Sequence, residues 1–300
     1  MLIHESDGLT VRAVHAGRVW LDGGAMFGVV PKPLWSRKTD ADDRNRIPLA
    51  TRCLLVEAGG RRMLVDTGVG TKEDEKFEDI YGVESGPPPG SDADSRLEAS
   101  LAEMGVARED VDLVLSTHLH FDHAGGNTVA AGEDEFRPAF PNATYLIRRG
   151  EWEFAHRDNE RIQASYLQHN FDPLRRAGVV EFLEGDEEVL PGVRTVRTPG
   201  HTPHHQSVIF EAGDETLCYL ADLVPTAAHV PLPWIMGYDV EPLVTLESKR
   251  KLLTRAAEER WTLIFEHDPE VAAGRAVPSG SSRGGCELKD PRRHPAGAER

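Results

Sequence analysis

Polar and apolar residues alternate over "LTVRAV" (Leu9 to Val14), the pattern of a half-buried strand. "TRCLLVEAGGRRMLVDTG" predicts a hairpin, with Cys53 to Glu57 and Arg62 to Asp66 joined by a turn at Ala58-Gly59-Gly60. "DSRLEASLAEMG" spaces Leu97, Leu101 and Met104 helically and stops at Gly105. Val111 to Ser116 is short and almost wholly apolar, as expected of a strand buried on both faces. "NATYLI", "GVVEFLEG" and "VRTVRT" read as further strands, and "SVIFEAGDETLCYLAD" as a hairpin turning at Gly213-Asp214. A mixed polar and aromatic stretch from Glu151 to Arg176 reads as helical. Thr245 to Glu259 predicts an exposed helix burying Leu246, Leu252, Leu253 and Ala256, and it leads into the apolar strand "WTLIFEH". Helices mixed with strands throughout predict an α/β fold and not an all-β barrel. Tyr81 to Ser95 is turn-rich and reads as a surface loop. From Gly274 onward apolar residues are sparse, so a domain over 1–273 with a loosely structured tail over 274–300 is expected.

Composition narrows the function classes. Acidic residues outnumber basic ones 50 to 34, a formal charge of −16, which opposes binding to a phosphate backbone. No stretch approaches the roughly 20 apolar residues that span a bilayer, and "MLIHESDGLT" has no export-signal pattern. Three widely spaced cysteines, Cys53, Cys218 and Cys286, fit reduced thiols in a cytoplasm better than a disulfide framework. The expected partner is therefore a small-molecule substrate, with no nucleic acid and no membrane.

The chemistry concentrates in "STHLHFDHAGGN" (Ser116 to Asn127), which follows the buried strand directly. His201 follows "VRTVRTPG", Asp222 follows "TLCYLA" and His267 follows "TLIFE", so each lies at or just beyond the end of a strand-like run. Loops at one edge of a sheet gather residues far apart in sequence. Alternate residues of an extended stretch point the same way, so His118 and His120 can face one ion, with His201 completing a three-histidine set. Asp122 and His123 come where the chain turns, and with His267 they make a second set, leaving Asp222 to bridge both. Taken singly, a polar turn with incidental histidines, or an Asp capping a helix, accounts for the same residues. Imidazole with carboxylate suits two divalent cations, zinc foremost, with iron or manganese as alternatives.

"HLHFDH" matches the HxHxDH motif, and with His201, Asp222 and His267 following in order the chain resembles the metallo-β-lactamase superfamily. "VDTG" resembles that family's early Asp motif, which implies that Asp66 supports a ligand from behind. The resemblance runs from about Leu9 to Glu270 and implies a four-layer αββα sandwich with a dinuclear site at one edge. It implies a metal-dependent hydrolase in which a hydroxide bridging two ions attacks an ester, lactone or related uncharged apolar substrate, with Asp122 as the proton-handling carboxylate. A mononuclear iron persulfide dioxygenase on the same fold, or a phosphodiesterase or phosphotriesterase, is the competing expectation. In layout the chain is similar to the lactonase and organophosphorus hydrolase branch, although it reads "DLVPT" where lactonases carry a tyrosine after the bridging Asp. "DGGAMFGVVPKPLW" and "PTAAHVPLPWIMGYD" place Phe27, Trp35, Trp234, Met236 and Tyr238 as exposed pocket walls. Alternatively, these aromatics pack on each other or form a homodimer interface. In the family's "GHTPGH" pattern, His204 replaces the glycine, and His205 reads as a loop-stabilising residue.

Overall fold

The Gly59-Gly60 turn is the first element to be fixed locally. Both glycines have positive φ, 58° and 76°, so a two-residue turn joins the flanking strands with the hand of twist a hairpin needs. In the computed structural model, which describes residues 1–6, 8–132, 134–280 and 285–293, that hairpin pairs Leu54 with Val65 through to Ala58 with Arg61.

The first strands are β1 (Leu2–Ser6), β2 (Leu9–Asp22), β3 (Arg46–Ala58) and β4 (Arg61–Val65), with the short helices α1 (Gly23–Phe27) and α2 (Lys32–Trp35) between β2 and β3. Next come α3 (Glu75–Tyr81), α4 (Arg96–Glu103), β5 (Leu113–Leu115), α5 (Phe121–Ala124), β6 (Thr128–Gly132), β7 (Glu135–Pro138) and β8 (Thr144–Arg148). They are followed by α6 (Arg149–Ala155), α7 (Asp172–Arg176), β9 (Val180–Leu183), β10 (Glu188–Leu190), β11 (Val193–Arg197), β12 (Gln206–Ala212) and β13 (Glu215–Tyr219). Last are α8 (Pro242–Glu258), β14 (Thr262–Ile264), β15 (Val271–Pro278) and β16 (Cys286–Arg293). One seven-stranded sheet has the order β1-β2-β3-β4-β5-β8-β9, another runs from β10 to β16 in sequence order, and β6 pairs with β7.

The chain divides into two compact units, one of Leu2–Val19 with Ala50–Gly185, the other of Trp20–Leu49 with the chain from Asp186 onward. In the first unit β4, β5, β8 and β9 are parallel neighbours, and all three residues of β5 are buried. Such a strand needs apolar residues at every position, and Leu113, Val114 and Leu115 supply them. In the second unit α8 buries Thr245, Lys249, Leu252, Leu253, Ala256 and Ala257, one stripe at helical spacing. Its apolar part packs in a core with Trp261, Leu263 and Phe265.

Two sequence expectations need correction. The helical reading of Glu151 to Arg176 resolves into α6 and α7, with turns and a short 3-10 segment between them. The reading of 274–300 as a loose tail fails over most of its described part, because β15 and β16 pair from Pro278 with Cys286 to Val271 with Arg293. The apolar signal was faint because β15 packs through small residues. Ala272, Ala273 and Ala276 are buried, and a Cβ at Gly274 would come within 2.6 Å of Leu288. Residues 281–284 and 294–300 of that stretch lie outside the described residues.

Candidate metal centre

In the first unit, the chain leaves β5 for His118 and His120, the latter with extended backbone, and the single turn of α5 then carries Asp122 and His123. All four side chains are buried. The ring centroids of His118 and His120 are 4.5 Å apart, those of His118 and His123 4.0 Å, and His123 Nε2 lies 3.8 Å from Asp122 Oδ1. Two glycines make the turn possible. A Cβ at Gly125 would lie 2.0 Å from the Val69 carbonyl oxygen, and one at Gly126 2.3 Å from that of Thr67.

Asp66 stands behind this cluster at the end of β4, with φ of 56°. Its carboxylate accepts from the Thr117 backbone N–H and hydroxyl, both at 2.8 Å, and faces His123 Nδ1 at 3.2 Å. A carboxylate only accepts, so the His123 proton sits on Nδ1 and the Nε2 lone pair points the other way. The Thr117 hydroxyl, having donated to Asp66, accepts from His118 Nδ1 at 3.1 Å, which fixes the same tautomer there. Glu151 Oε1 accepts from the Leu119 N–H at 3.1 Å and from the Tyr166 hydroxyl at 2.7 Å, so the backbone between His118 and His120 is anchored too. The Tyr166 ring lies 4.7 Å from that of His120.

The second unit carries the remaining three residues. Asp222 Oδ2 is 3.0 Å from His201 Nε2, and its Oδ1 is 3.0 Å from His267 Nε2. His201 Nδ1 meets Asp239 Oδ1 at 2.9 Å, which again commits the Nδ1 proton to a carboxylate and turns the Nε2 lone pair toward Asp222. The turn before His201 depends on Gly200, whose φ is 135° and whose Cβ would fall 2.2 Å from the Thr245 nitrogen. His205 Nε2 accepts from the Asp222 backbone N–H at 3.2 Å and its Nδ1 donates to Thr198 Oγ1 at 2.9 Å, so this ring supports the Asp222 loop with both nitrogens. The donor chemistry in both units fits divalent cations: imidazole Nε2 atoms with fixed tautomers, set beside buried carboxylates.

The pocket-wall reading fares differently. Phe27 and Trp35 are each 1% exposed and Met236 4%, so their expected exposure is corrected. Phe27 stacks on Trp35 at 5.3 Å and on His229 at 4.6 Å, and meets the edge of Trp234 at 5.7 Å. The stretch folds into α1 and α2, and their short helical turns aim the large rings inward. Trp234 is half-buried and Tyr238 is 36% exposed. A cleft of about 810 Å³ in the second unit is lined by Trp20, Phe27, Lys38, Leu49, Thr226 and Asp268 among others.

Several residues escaped the sequence reading. His229 donates from Nε2 to the Met26 carbonyl at 2.8 Å and accepts at Nδ1 from Thr226 at 2.8 Å. Burial pulls its pKa down to about 3, so it is a neutral clamp. Phe77 and Tyr81 on α3 pack on Phe121, at 5.0 and 4.7 Å, beside Asp122. Burial, and then the charge of Asp122, push the Tyr81 phenol above its usual pKa. The helical spacing of Phe77 and Tyr81 was visible in sequence, but their placement beside Asp122 was not. Asp239 carried no signal beyond its position.

The metallo-β-lactamase superfamily model matches residues 46–267. An N-acyl homoserine lactonase of Bacillus cereus is 31% identical over 240 residues, covering 78% of this chain and 87% of that protein. Among solved structures, a probable metal-dependent hydrolase from Staphylococcus aureus superposes with a TM-score of 0.82 at 29% identity, over 94% of this chain and 98% of that one. An N-acyl homoserine lactone hydrolase, solved with N-hexanoyl-L-homoserine bound at its catalytic metal center, gives a TM-score of 0.64 at 26% identity, over 86% and 92% of the two chains. With the HxHxDH motif of His118 to His123 built as described and the family match covering residues 46–267, the chain belongs to the metallo-β-lactamase superfamily.

Proposed function

We propose that the protein is a metal-dependent hydrolase that opens the ring ester of N-acyl homoserine lactones or close analogues. In this reading His118, His120 and His201 would hold one divalent ion and Asp122, His123 and His267 a second, with the Asp222 carboxylate available to both. The observation that carries it is the placement of Asp222, which offers one carboxylate oxygen to His201 and the other to His267, each at 3.0 Å. A carboxylate shared between two imidazoles in this way is suited to two cations and is superfluous for one. Superfamily membership and the lactonase relatives support the same assignment. Zinc is the ion best matched to this mix of imidazole and carboxylate.

Two such ions supply Lewis acidity to the ester carbonyl and let water ionise near neutral pH. The chain's own residues do the rest. Asp122 takes the proton released as water oxygen bonds to the carbonyl carbon, and returns it to the ring oxygen as the C–O bond breaks, giving a hydroxy acid. Asp66 and Asp239 keep His123 and His201 in the ligating tautomer. Phe77, Tyr81 and Phe121 form an apolar shelf beside Asp122 for an acyl substituent, and Trp234 and Tyr238 offer further partly exposed apolar surface. The three cysteines are all buried and none is in a disulfide, in keeping with a cytoplasmic setting. Val29, Leu34, Leu243 and Val244 are exposed apolar residues in the second unit, which supports a homodimer.

Metal analysis of the purified protein, paired with a panel of lactones, aryl esters and phosphotriesters, tests the reading. Two metal equivalents per chain and a preference for acylated lactones are expected. One iron per chain with oxygen uptake on a persulfide, or a preference for phosphotriesters, would overturn it.

A further inference from the structure

Lys249 lies on the inner stripe of α8 and is 0% exposed. A buried lysine is rare because desolvating an ammonium is costly unless acceptors surround it. Here the acceptors come from one loop. Lys249 Nζ donates to the Pro231 and Trp234 carbonyls, both at 2.8 Å; burial lowers its pKa, and the charge of Asp239 opposes that in part.

The same loop is fastened to the turn that carries His201. Val240 N–H donates to the His201 carbonyl at 3.0 Å and Glu241 N–H to that of Gly200 at 2.9 Å. Asp239 then meets His201 Nδ1 at 2.9 Å. The N-terminal half of α8 grips this turn from its other side, with Thr245 filling the space over Gly200 and Ser248 donating to the Pro199 carbonyl at 2.7 Å. Lys249 is therefore the cationic tie of a frame whose other ties are backbone and hydroxyl bonds and the Asp239 carboxylate on His201.

We propose that Lys249 is a positioning residue for the metal centre: its Nζ, donating to two carbonyls, pins the Pro231–Asp239 segment so that Asp239 holds His201 with Nε2 aimed at the ion. This rests on the assignment of His201 as a ligand. A lysine that only held the core together could be replaced at a cost to stability alone, with metal affinity and geometry unchanged in the folded protein. A lysine that positions Asp239 is not replaceable in that way, because Pro231 and Trp234 would lose the donor that fixes their loop.

The test uses cobalt- and zinc-loaded full-length protein, with metal affinity measured by chelator competition and the cobalt absorption band as a geometric readout. Asp239→Asn is expected to weaken one metal equivalent by about 10–100-fold, the usual consequence of removing a ligand's hydrogen-bond partner. Lys249→Met should weaken the same equivalent and shift the cobalt band, and Lys249→Arg, which keeps charge and donors, should recover most of the affinity. The double variant Asp239→Asn/Lys249→Met should bind no worse than Asp239→Asn alone, since one acts through the other. Wild-type affinity and an unchanged band in Lys249→Met, or losses that multiply in the double variant, would overturn the proposal. Should Lys249→Met not fold, Lys249→Leu, which also removes the donor, decides by the same comparison. Metal-free behaviour of the wild-type protein itself would instead overturn the metal-centre reading, so the two failures are distinguishable.

Discussion

Asp66 Oδ2 lies 3.2 Å from His123 Nδ1, with both side chains wholly buried. The same oxygen accepts the Thr117 hydroxyl, which in turn accepts from His118, so one carboxylate sets the tautomers of two histidines. Asp66→Asn keeps the shape but offers an amide N–H₂ or a neutral carbonyl in place of the charge. Metal affinity should fall by about 10–100-fold with the fold intact. Metal content after dialysis against a weak chelator, compared with the circular dichroism of the same sample, checks this. Undiminished metal content would remove Asp66 from the centre.

Asp222 and His267 make a second contrast. Asp222 touches both His201 and His267, whereas His267 touches Asp222 on one oxygen only. Asp222→Ala should lower occupancy of both metal positions, and His267→Ala mainly one. Elemental analysis giving two metals per chain in Asp222→Ala would sink the bridging role.

How far the sequence could be read follows from what each residue's signal depends on. The seven ligand candidates were legible because ligand chemistry admits few residue types and the strand ends set their spacing. Asp66 was legible through "VDTG", but Thr117, Asp239 and Glu151 were not, because residues that support a ligand are recognised only by what they touch. β15 and β16 were missed because alanine and glycine pack closely without raising hydropathy. Phe27 and Trp35 misled for the opposite reason. Large rings among glycines and prolines look exposed in a linear reading, and α1 and α2 turn them inward.

That burial gives a direct expectation for the aromatic cluster. Phe27→Ala or Trp35→Ala removes a fully buried ring and should destabilise the protein by about 3–5 kcal/mol. The loss should appear as a lower denaturation midpoint, with substrate preference by acyl length unchanged in the surviving folded protein. Tyr81→Ala should do the reverse, costing less stability because Tyr81 is half-exposed, and weakening use of long acyl chains more than short ones. Chain-length preference that follows Trp35 in place of Tyr81 would move the apolar subsite to the second unit.

Lys249 also gives a pH dependence whose sign can be worked out. Burial pulls its pKa down to about 7 from an ordinary 10.5, with the Asp239 carboxylate opposing and His229 nearby held neutral. Between those two values the unfolded chain binds a proton that the folded chain has released. Stability from this group therefore rises with pH across that window, by as much as about 1.4 kcal/mol per pH unit, and is flat below its lower end. A neutral amine still has two hydrogens for the Pro231 and Trp234 carbonyls, so the loop stays pinned as the charge leaves. Lys249→Met has no titrating group, so the difference in unfolding free energy between it and the wild type isolates this contribution. Urea unfolding of the metal-free proteins from neutral pH to the ordinary lysine range should show the wild type gaining on the variant as pH rises. A difference that stays constant would mean that the ammonium keeps its proton in the fold, held there by Asp239 more strongly than burial opposes it.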